Sequence, residues 1–172
     1  MKHSLYKKIY GGISSFIEKR LGLKKAMPIF DKVITIIFFV EYAFLCYSLF
    51  SKKTSAELLM GVLFPFLLTL LVVTVLRLAI PRPRPYTEEG AGITPLVKKK
   101  GDSPNSFPSR HVACAAVITC VFFPHFPLVA ALLFFFTLLL AFVRFALGLH
   151  YISDLLAGGG IGFIIGLAFI IF

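Results

Sequence analysis

Long apolar runs dominate this sequence and limit the folds that it can adopt. Hydrophobic residues make up 58% of the 172 residues, and the mean hydropathy is +0.90. A water-soluble domain of this size carries more polar surface around its core, whereas runs of about 20 apolar residues are long enough to cross a bilayer as helices. We therefore predict an all-α fold, a polytopic transmembrane helix bundle. The five predicted spans are residues 31–50, 57–80, 111–123, 127–147 and 155–172.

Three of these spans have features that bear on packing. Residues 111–123 are fewer than the roughly 20 that a full span needs, so we expect this helix to begin inside the protein, below the membrane surface. Pro65 lies in the second span and is tolerable there as a kink. In the last span, Gly162 and Gly166 match the small-xxx-small pattern that allows close contact between helices.

The N-terminal segment has a different character from the spans. Over residues 4–22, apolar and basic residues alternate at helical spacing, which is too polar for a span and typical of a helix that lies in the membrane interface. We predict two parts, an amphipathic interfacial helix over residues 1–28 and a transmembrane core over residues 29–172. The apolar positions predicted to share one face of the first helix are Leu5, Ile9, Ile13, Phe16 and Ile17.

One long polar segment, residues 81–110, separates the second and third spans. It is too long for a tight turn, so we predict that it is a functional loop at the active site. With five spans, this loop, the connection 148–154 and the N-terminus all lie on one membrane face. Lys98 to Lys100 are interpreted as a solvated part of the loop.

Basic side chains from separate parts of the sequence converge on that face. Ionisable groups at membrane depth are costly and indicate function, and Asp154 alone cannot neutralise them, so their partner is an anion. Arginine forks match phosphate oxygens. Ser109 precedes an apolar helical run and is predicted to be its N-cap, with free N–H groups pointing at the phosphate. The predicted phosphate-binding residues are Arg77, Arg84, Ser109, Arg110 and Arg144.

Two histidines and one aspartate supply the reactive groups. His150 and Asp154 are four residues apart, which places them on one face of a helical turn. A carboxylate on one ring nitrogen fixes the tautomer and strengthens the other nitrogen as a nucleophile. His111 remains as the acid for a leaving alkoxide. No Asp/Glu cluster indicates a metal, so neither a metal nor another cofactor is expected. The predicted reaction is phosphoryl transfer to His150 and then hydrolysis by water.

Three sequence motifs resemble those of the type-2 phosphatidic acid phosphatase family, which is related to the vanadium haloperoxidases. In the order of the chain they are Arg77-x6-Arg84-Pro85, Pro108-Ser109-Arg110-His111 and Val143-Arg144-x5-His150-x3-Asp154. The resemblance covers residues 57–172. The chain departs from the family pattern at three positions, since Arg77 replaces Lys, Arg110 replaces Gly and Val143 replaces Ser.

The resemblance implies the same roles as the residue chemistry. Arg77, Arg84, Ser109 and Arg144 hold the phosphate, His150 is the nucleophile oriented by Asp154, and His111 is the acid. Arg110 adds a cation and bulk beside the pocket, which puts substrate preference in question more than activity. The predicted catalytic residues are thus His150, His111 and Asp154, and the predicted phosphate-binding residues are Arg77, Arg84, Ser109, Arg110 and Arg144.

We therefore expect an integral membrane lipid phosphatase. Phosphatidate, phosphatidylglycerophosphate, undecaprenyl diphosphate and a saccharolipid phosphate all fit, and Arg82 and Arg110 slightly favour a substrate with more than one phosphate charge. The alternative is a non-catalytic protein that binds or translocates a lipid phosphate. Vanadate-dependent haloperoxidase chemistry is disfavoured by the membrane setting. The expected partners are the lipid substrate and the bilayer, with no nucleic acid and no particular oligomeric state predicted.

Two arguments disagree about the side of the cell membrane on which the site lies. The resemblance implies the extracytoplasmic face, and we retain that expectation. The positive-inside rule instead places the basic N-terminus, and the active site with it, in the cytoplasm. The basic residues concerned are Lys2, Lys7, Lys8, Lys19, Arg20, Lys24 and Lys25.

Overall fold

The structure, a computed structural model, describes residues 2–51, 56, 58–87, 90–96 and 105–171. Within these residues it contains six α-helices and no β-strand beyond one isolated bridge, which confirms the predicted all-α bundle. Lys98 to Lys100 and residue 57, the predicted start of the second span, lie outside the described residues. The helices are α1 (Lys2–Glu18), α2 (Leu21–Ser51), α3 (Phe64–Ala79), α4 (Arg110–Phe122), α5 (Pro127–Ala146) and α6 (Ile152–Ile171).

Four of the described helices are long and apolar enough to cross a membrane. They cover Gly22–Ser51, Leu59–Ala79, Pro127–Ala146 and Ile152–Ile171. The predicted third span corresponds to α4, which has 13 residues and therefore a length of about 20 Å. As expected from its sequence, this helix is too short for a full span.

The N-terminal 28 residues are divided between two helices. The chain turns at Lys19 and Arg20, after the end of α1, and α2 then begins at Leu21, ten residues before the predicted start of the first span. Pro28 lies inside α2. The extension follows from residues 21–27, because Leu, Lys, Ala and Met are strong helix formers even where the apolar run has not yet begun.

The inward face of α1 differs from the predicted apolar face. Leu5 and Phe16 are exposed, whereas Tyr6, Tyr10 and Ile17 are buried. The two tyrosines pack on aromatic rings at the end of α5 and in the α5–α6 connection. A tyrosine suits such a place because its ring packs while its hydroxyl finds a polar partner.

A π-helical turn over Leu58–Leu63 leads into α3. Pro65 follows at the start of α3 and has no N–H to donate to a carbonyl of the preceding turn. Nearby hydroxyls take up some of the carbonyls of this region, since Tyr42 donates to Val62 O at 3.2 Å and Thr69 donates to Pro65 O at 2.8 Å. The change of helix type at the proline is the local irregularity that the sequence indicated.

The short helix α4 lies at the centre of the bundle. Ten of its 13 residues are buried, so it contacts protein rather than lipid around most of its circumference. Its polar Thr119 donates to Ala115 O at 2.9 Å and lies 3.1 Å from the hydroxyl of Thr137 on α5. The central position of α4 fixes the place of its N-terminus, where the second motif lies.

A row of glycines brings α6 into close parallel contact with α4. A Cβ at Gly158 would lie 2.4 Å from Ser109 O, one at Gly162 would lie 2.2 Å from Ala113 O, and one at Gly166 would lie 2.4 Å from Cys120 Cβ. The four-residue spacing is the small-xxx-small pattern of tightly packed membrane helices. The predicted contact of Gly162 and Gly166 is thereby confirmed, and Gly158 extends it to the start of α4.

Substitution of one glycine in this row tests the helix contact. We expect Gly162→Ala to destabilise the protein by about 2 kcal/mol, because its methyl group would collide with a backbone carbonyl that cannot move aside. Gly160→Ala is the matched control, since its Cβ would meet nothing within 4 Å. Thermal unfolding in detergent gives the comparison. Equal melting temperatures for the two variants would contradict the close packing of α4 and α6.

Candidate active site

Three connecting segments meet at one end of the bundle, as the span count predicts. They are the segment after α3, the segment before α4 and the α5–α6 connection. Pro83 and Asn105 form an antiparallel bridge, and Ser106 N donates to Arg82 O at 2.8 Å. Ser109 N donates to Asp154 O at 2.9 Å. These backbone bonds hold the three predicted motifs beside one another.

His150 lies fully inside this end of the bundle, with 2% of its surface exposed. Its Nδ1 is 2.9 Å from Ser106 O and 3.7 Å from Asp154 Oδ2. A carbonyl oxygen can only accept a hydrogen bond, so Nδ1 carries the proton of the neutral ring and Nε2 keeps its lone pair. The sequence analysis identified Asp154 beside the ring but missed the Ser106 carbonyl, because a backbone acceptor has no signal in residue type.

The position of His150 also differs from the predicted helical turn. His150 precedes the start of α6 by two residues, whereas Asp154 lies in the first turn of that helix. Asp154 Oδ2 accepts a hydrogen bond from Tyr151 N at 2.9 Å, which is one half of a capping box. The two residues are still neighbours, because the chain enters the helix between them.

Burial lowers the pKa of His150 below its ordinary value of 6.5. The nearby carboxylate of Asp154 opposes this shift, whereas the positive charges of Arg84 and Arg144 add to it. A ring with a lowered pKa is protonated only at more acidic pH. His150 is therefore neutral at pH 7, which is the state that a nucleophile requires.

Arg82 holds the carboxylate of Asp154, although it has no place in the three motifs. Its Nη1 donates to Asp154 Oδ1 at 2.6 Å and to Ser153 Oγ at 2.7 Å, and its guanidinium lies 4.0 Å from the centre of the Tyr151 ring. Arg82 is thus engaged with the residue beside His150. This contact gives it a role that the sequence analysis left open.

Arg77 and Arg84 are both buried and bind backbone carbonyls. Arg77 donates to Pro108 O at 3.0 Å and to Asn105 O, while Asn105 Nδ2 donates back to Arg77 O at 2.8 Å. Arg84 donates to Leu149 O at 3.2 Å, next to His150. The two ends of the first motif therefore reach different partners, one before α4 and one in the α5–α6 connection.

Ser109 occupies the N-cap position of α4, as predicted, with an extended backbone. Its hydroxyl does not make the capping bond that the sequence predicts. The side chain is completely buried, and within the described part of the chain Oγ has no hydrogen-bond partner. A buried hydroxyl without a partner is costly. Together with the N–H groups of the first turn of α4, it offers donors to an anion at this point.

Arg144 forms a buried ion pair with Asp31 of α2. Nε lies 2.9 Å from Oδ1, and Nη2 donates to Oδ2 at 3.1 Å. The sequence analysis treated Asp154 as the single counter-charge of the site and did not identify Asp31. One signal was present, since Asp31 is a carboxylate at the start of a predicted span, where ionisable residues indicate function.

Arg110 and His111 are exposed, unlike the other predicted site residues. They line one end of a cavity of about 200 Å³ that is bounded by α2, α3, α4 and α5. Apart from Thr35, the rest of the cavity wall is apolar and includes Phe38, Phe66 and Ile118. The structure thus divides the predicted set into a buried group around His150 and two side chains at the mouth of an apolar cavity.

The N-terminal helix also contacts the site. Tyr6 OH donates to His150 O at 3.4 Å, and Tyr10 OH donates to Thr94 O at 3.0 Å. Helix α1 therefore lies on the same face as the active-site segments, as the span count requires. Among the described residues, no three His, Cys, Asp or Glu side chains are grouped so that they could hold a metal ion.

The fold and the site define a polytopic helical membrane protein with a cluster of buried histidine and arginine side chains at one end of the bundle. A family model, the PAP2 superfamily, matches residues 58–172, and the chain belongs to that superfamily. No curated relative matches the sequence.

Two solved structures share the fold. The first is a transmembrane PAP2 type phosphatidylglycerolphosphate phosphatase from Bacillus subtilis, with a TM-score of 0.71 and 23% identity over 95% of this chain and 83% of the other. The second is LpxE from Aquifex aeolicus, with a TM-score of 0.72 and 21% identity over 98% of this chain and 94% of the other. At these identities the likeness establishes the fold, and the chemistry has to be argued from the site.

Proposed function

We propose that this chain is a lipid phosphatase that acts through a phosphohistidine at His150 and needs no metal ion. The observation that carries the proposal is a buried, neutral histidine whose Nδ1 is held by a backbone carbonyl. Family membership and the named activity of the Bacillus subtilis structure support the same reaction class. The proposal applies the predicted roles to the positions that the structure gives these residues.

The charges of the buried group favour a phosphate dianion. Leaving aside the exposed Arg110, the described residues near His150 include four guanidinium groups (Arg77, Arg82, Arg84 and Arg144) and two carboxylates (Asp31 and Asp154). Two positive charges are then left to an anion. In the proposal, Arg77, Arg84 and Arg144 neutralise the phosphate oxygens, and the Ser109 hydroxyl and the first N–H groups of α4 donate to them.

The proposed reaction has two steps. Nε2 of His150 attacks phosphorus, the bond from phosphorus to the lipid oxygen breaks, and His111 gives its proton to the leaving alkoxide. Water then attacks the phosphohistidine, His111 takes a proton from that water, and the P–N bond breaks to release inorganic phosphate. Asp154 stabilises the ring while Nε2 carries the phosphoryl group, and Arg82 holds Asp154 in place.

The cavity next to Arg110 and His111 supports a lipid as the substrate. Its polar end lies at the start of α4, beside Ser109, and its walls further down are apolar. A phosphate at Ser109 would place the attached hydrocarbon chain at the cavity mouth, where burial of apolar surface favours binding. Phosphatidate, phosphatidylglycerophosphate and undecaprenyl diphosphate are the proposed candidates, and Arg110 is the residue proposed to select between them.

Phosphate release from purified protein is the first test. We expect release from a panel of lipid phosphates in detergent, unchanged by EDTA, and a loss of at least about 1,000-fold in His150→Ala, since removal of the nucleophile blocks the first step. His125→Ala is the matched control, because His125 lies in the α4–α5 turn at the opposite end of the bundle. Trapping of labelled phosphate on the wild-type chain detects the intermediate.

A separate result would contradict the metal-free reaction, the role of His150 as nucleophile, and catalysis itself. Loss of activity in EDTA would contradict the metal-free reaction. Equal rates for wild type and His150→Ala would remove His150 as the nucleophile. Binding of lipid phosphates without release by a folded wild-type protein would favour the non-catalytic alternative, a lipid-phosphate binding or translocating protein.

The lowered pKa of His150 predicts the pH dependence of the reaction. Since the ring is protonated only at a pH below its ordinary 6.5, we expect the acid limb of kcat/KM to lie below pH 6.5. Arg84→Gln removes one of the positive charges that lower this pKa, so its acid limb is expected at higher pH. Measurements of kcat/KM from about pH 5 to 8 give the acid limb of the wild type and that of Arg84→Gln. A limb that is unmoved in Arg84→Gln would contradict the assignment.

We propose, following the family resemblance, that the active site faces the extracytoplasmic side. Helix α1 contacts the active-site segments, so a cysteine on α1 reports the side of the site. We expect Lys8→Cys to react with a membrane-impermeant maleimide in intact cells, and His125→Cys to react only after lysis. The unsubstituted chain controls for its own three cysteines. The reverse pattern would place the site in the cytoplasm, as the positive-inside rule does.

A further inference from the structure

The ion pair between Asp31 and Arg144 joins the active site to a helix outside the family-matched region. Asp31 lies on α2, whereas the family model begins at residue 58. Both residues are almost completely buried, with 2% and 3% of their surfaces exposed. Asp31 lies outside the three arginine-bearing motifs, so this carboxylate comes from a part of the chain that the motifs do not describe.

The geometry of the pair is specific. The two carboxylate oxygens of Asp31 face Nε and Nη2 of Arg144 at 2.9 and 3.1 Å. Nη2 donates a hydrogen bond to Oδ2, and Nε faces Oδ1 as an ion-pair contact, so two atoms of the guanidinium are held by one carboxylate. The carboxylate therefore restricts the orientation of the Arg144 guanidinium, which would otherwise move at the end of a flexible side chain.

The held guanidinium lies close to the reactive histidine. The charge of Arg144 contributes to the lowered pKa of His150, which places the two side chains within electrostatic reach of each other. Arg144 therefore contacts Asp31 and lies within electrostatic reach of the His150 ring. Thr35, one turn further along α2, donates to Asp31 O at 2.7 Å and lines the cavity that Arg110 and His111 border.

We propose that Asp31 is a positioning residue that orients Arg144 for the phosphate. The inference rests on the proposed function, because it takes the anion at His150 to be a phosphate. A long arginine side chain loses rotamer freedom when it is fixed on a ligand. Asp31 fixes it before the ligand arrives, so less binding energy is lost to ordering when phosphate binds. It also places a negative charge beside a guanidinium that is almost completely buried.

The closing experiment measures phosphate binding and turnover separately. Titration calorimetry with inorganic phosphate in detergent gives the affinity, and phosphate release from the best lipid of the panel gives kcat and KM. We expect Asp31→Asn to lower both phosphate affinity and kcat/KM at least about tenfold, because a small misplacement of a binding group has effects of this size. The amide is as large as the carboxylate, but its NH2 group faces a second donor.

Glu41→Gln is the matched control. Glu41 lies on the same helix, about 15 Å along its axis from Asp31, and the substitution makes the same change from carboxyl to amide. We expect wild-type phosphate affinity and wild-type kcat/KM for this variant. Melting temperatures in detergent establish that the variants are folded.

A double-mutant cycle separates positioning from a general structural effect. If Asp31 acts through Arg144, Asp31→Asn lowers phosphate affinity less than about twofold when it is added to Arg144→Ala, because the side chain that it orients is absent. Asp31→Glu keeps the carboxylate on a longer side chain, and its affinity is expected between those of wild type and Asp31→Asn. It also provides a measurement if Asp31→Asn does not fold.

The outcomes are distinguishable from those of the proposed function. Wild-type phosphate affinity in Asp31→Asn or Asp31→Glu overturns the positioning role. So does a loss of phosphate affinity on Asp31→Asn that is the same in the wild-type background and in the Arg144→Ala background. A wild-type chain that binds inorganic phosphate but releases none from lipids overturns the proposed phosphatase and leaves the binding test of Asp31 in force. A wild-type chain that binds no inorganic phosphate overturns both.

Discussion

The rest of this structure depends on how buried arginine charge is neutralised at the end of a membrane bundle. A guanidinium taken out of water is stable only with hydrogen-bonded partners. Here Arg82 and Arg144 face carboxylates, and Arg77 and Arg84 bind backbone carbonyls. These partners lie on segments that are far apart in sequence. The same bonds that make the charges tolerable therefore bring the segments together, and they shape the site before any ligand is present.

The helices could be predicted from the sequence because apolar residues recur at helical spacing. The number of predicted spans was then enough to place the three connecting segments on one membrane face. The contacts within the site could not be predicted from residue spacing. Asp31 and Arg144 are 113 residues apart, and no spacing rule pairs them. The Ser106 carbonyl beside His150 is a backbone group, which every residue carries. The orientation of Arg110 and His111 depends on packing around α4, so the sequence placed them with the buried arginines.

The face of α1 that packs on protein follows from the setting of this helix. An interfacial helix turns apolar side chains towards lipid, so its apolar positions do not identify the side that contacts protein. Beside a bilayer, apolar side chains such as Leu5 and Phe16 can face lipid, and the protein side has carbonyl groups that need donors. Tyr6 and Tyr10 supply both an aromatic ring and a hydroxyl there. Helix α1 thus packs on the segment that carries His150.

The contact between Gly158 and Ser109 fixes the depth of the site. Gly158 is six residues into α6, so the start of α4 lies about 9 Å below the start of its neighbour. In the proposed phosphatase reaction, a lipid alcohol formed at this recessed helix start would leave sideways into the bilayer, and the phosphate would leave outwards to water. Recession of one short helix would then give the two products separate exits.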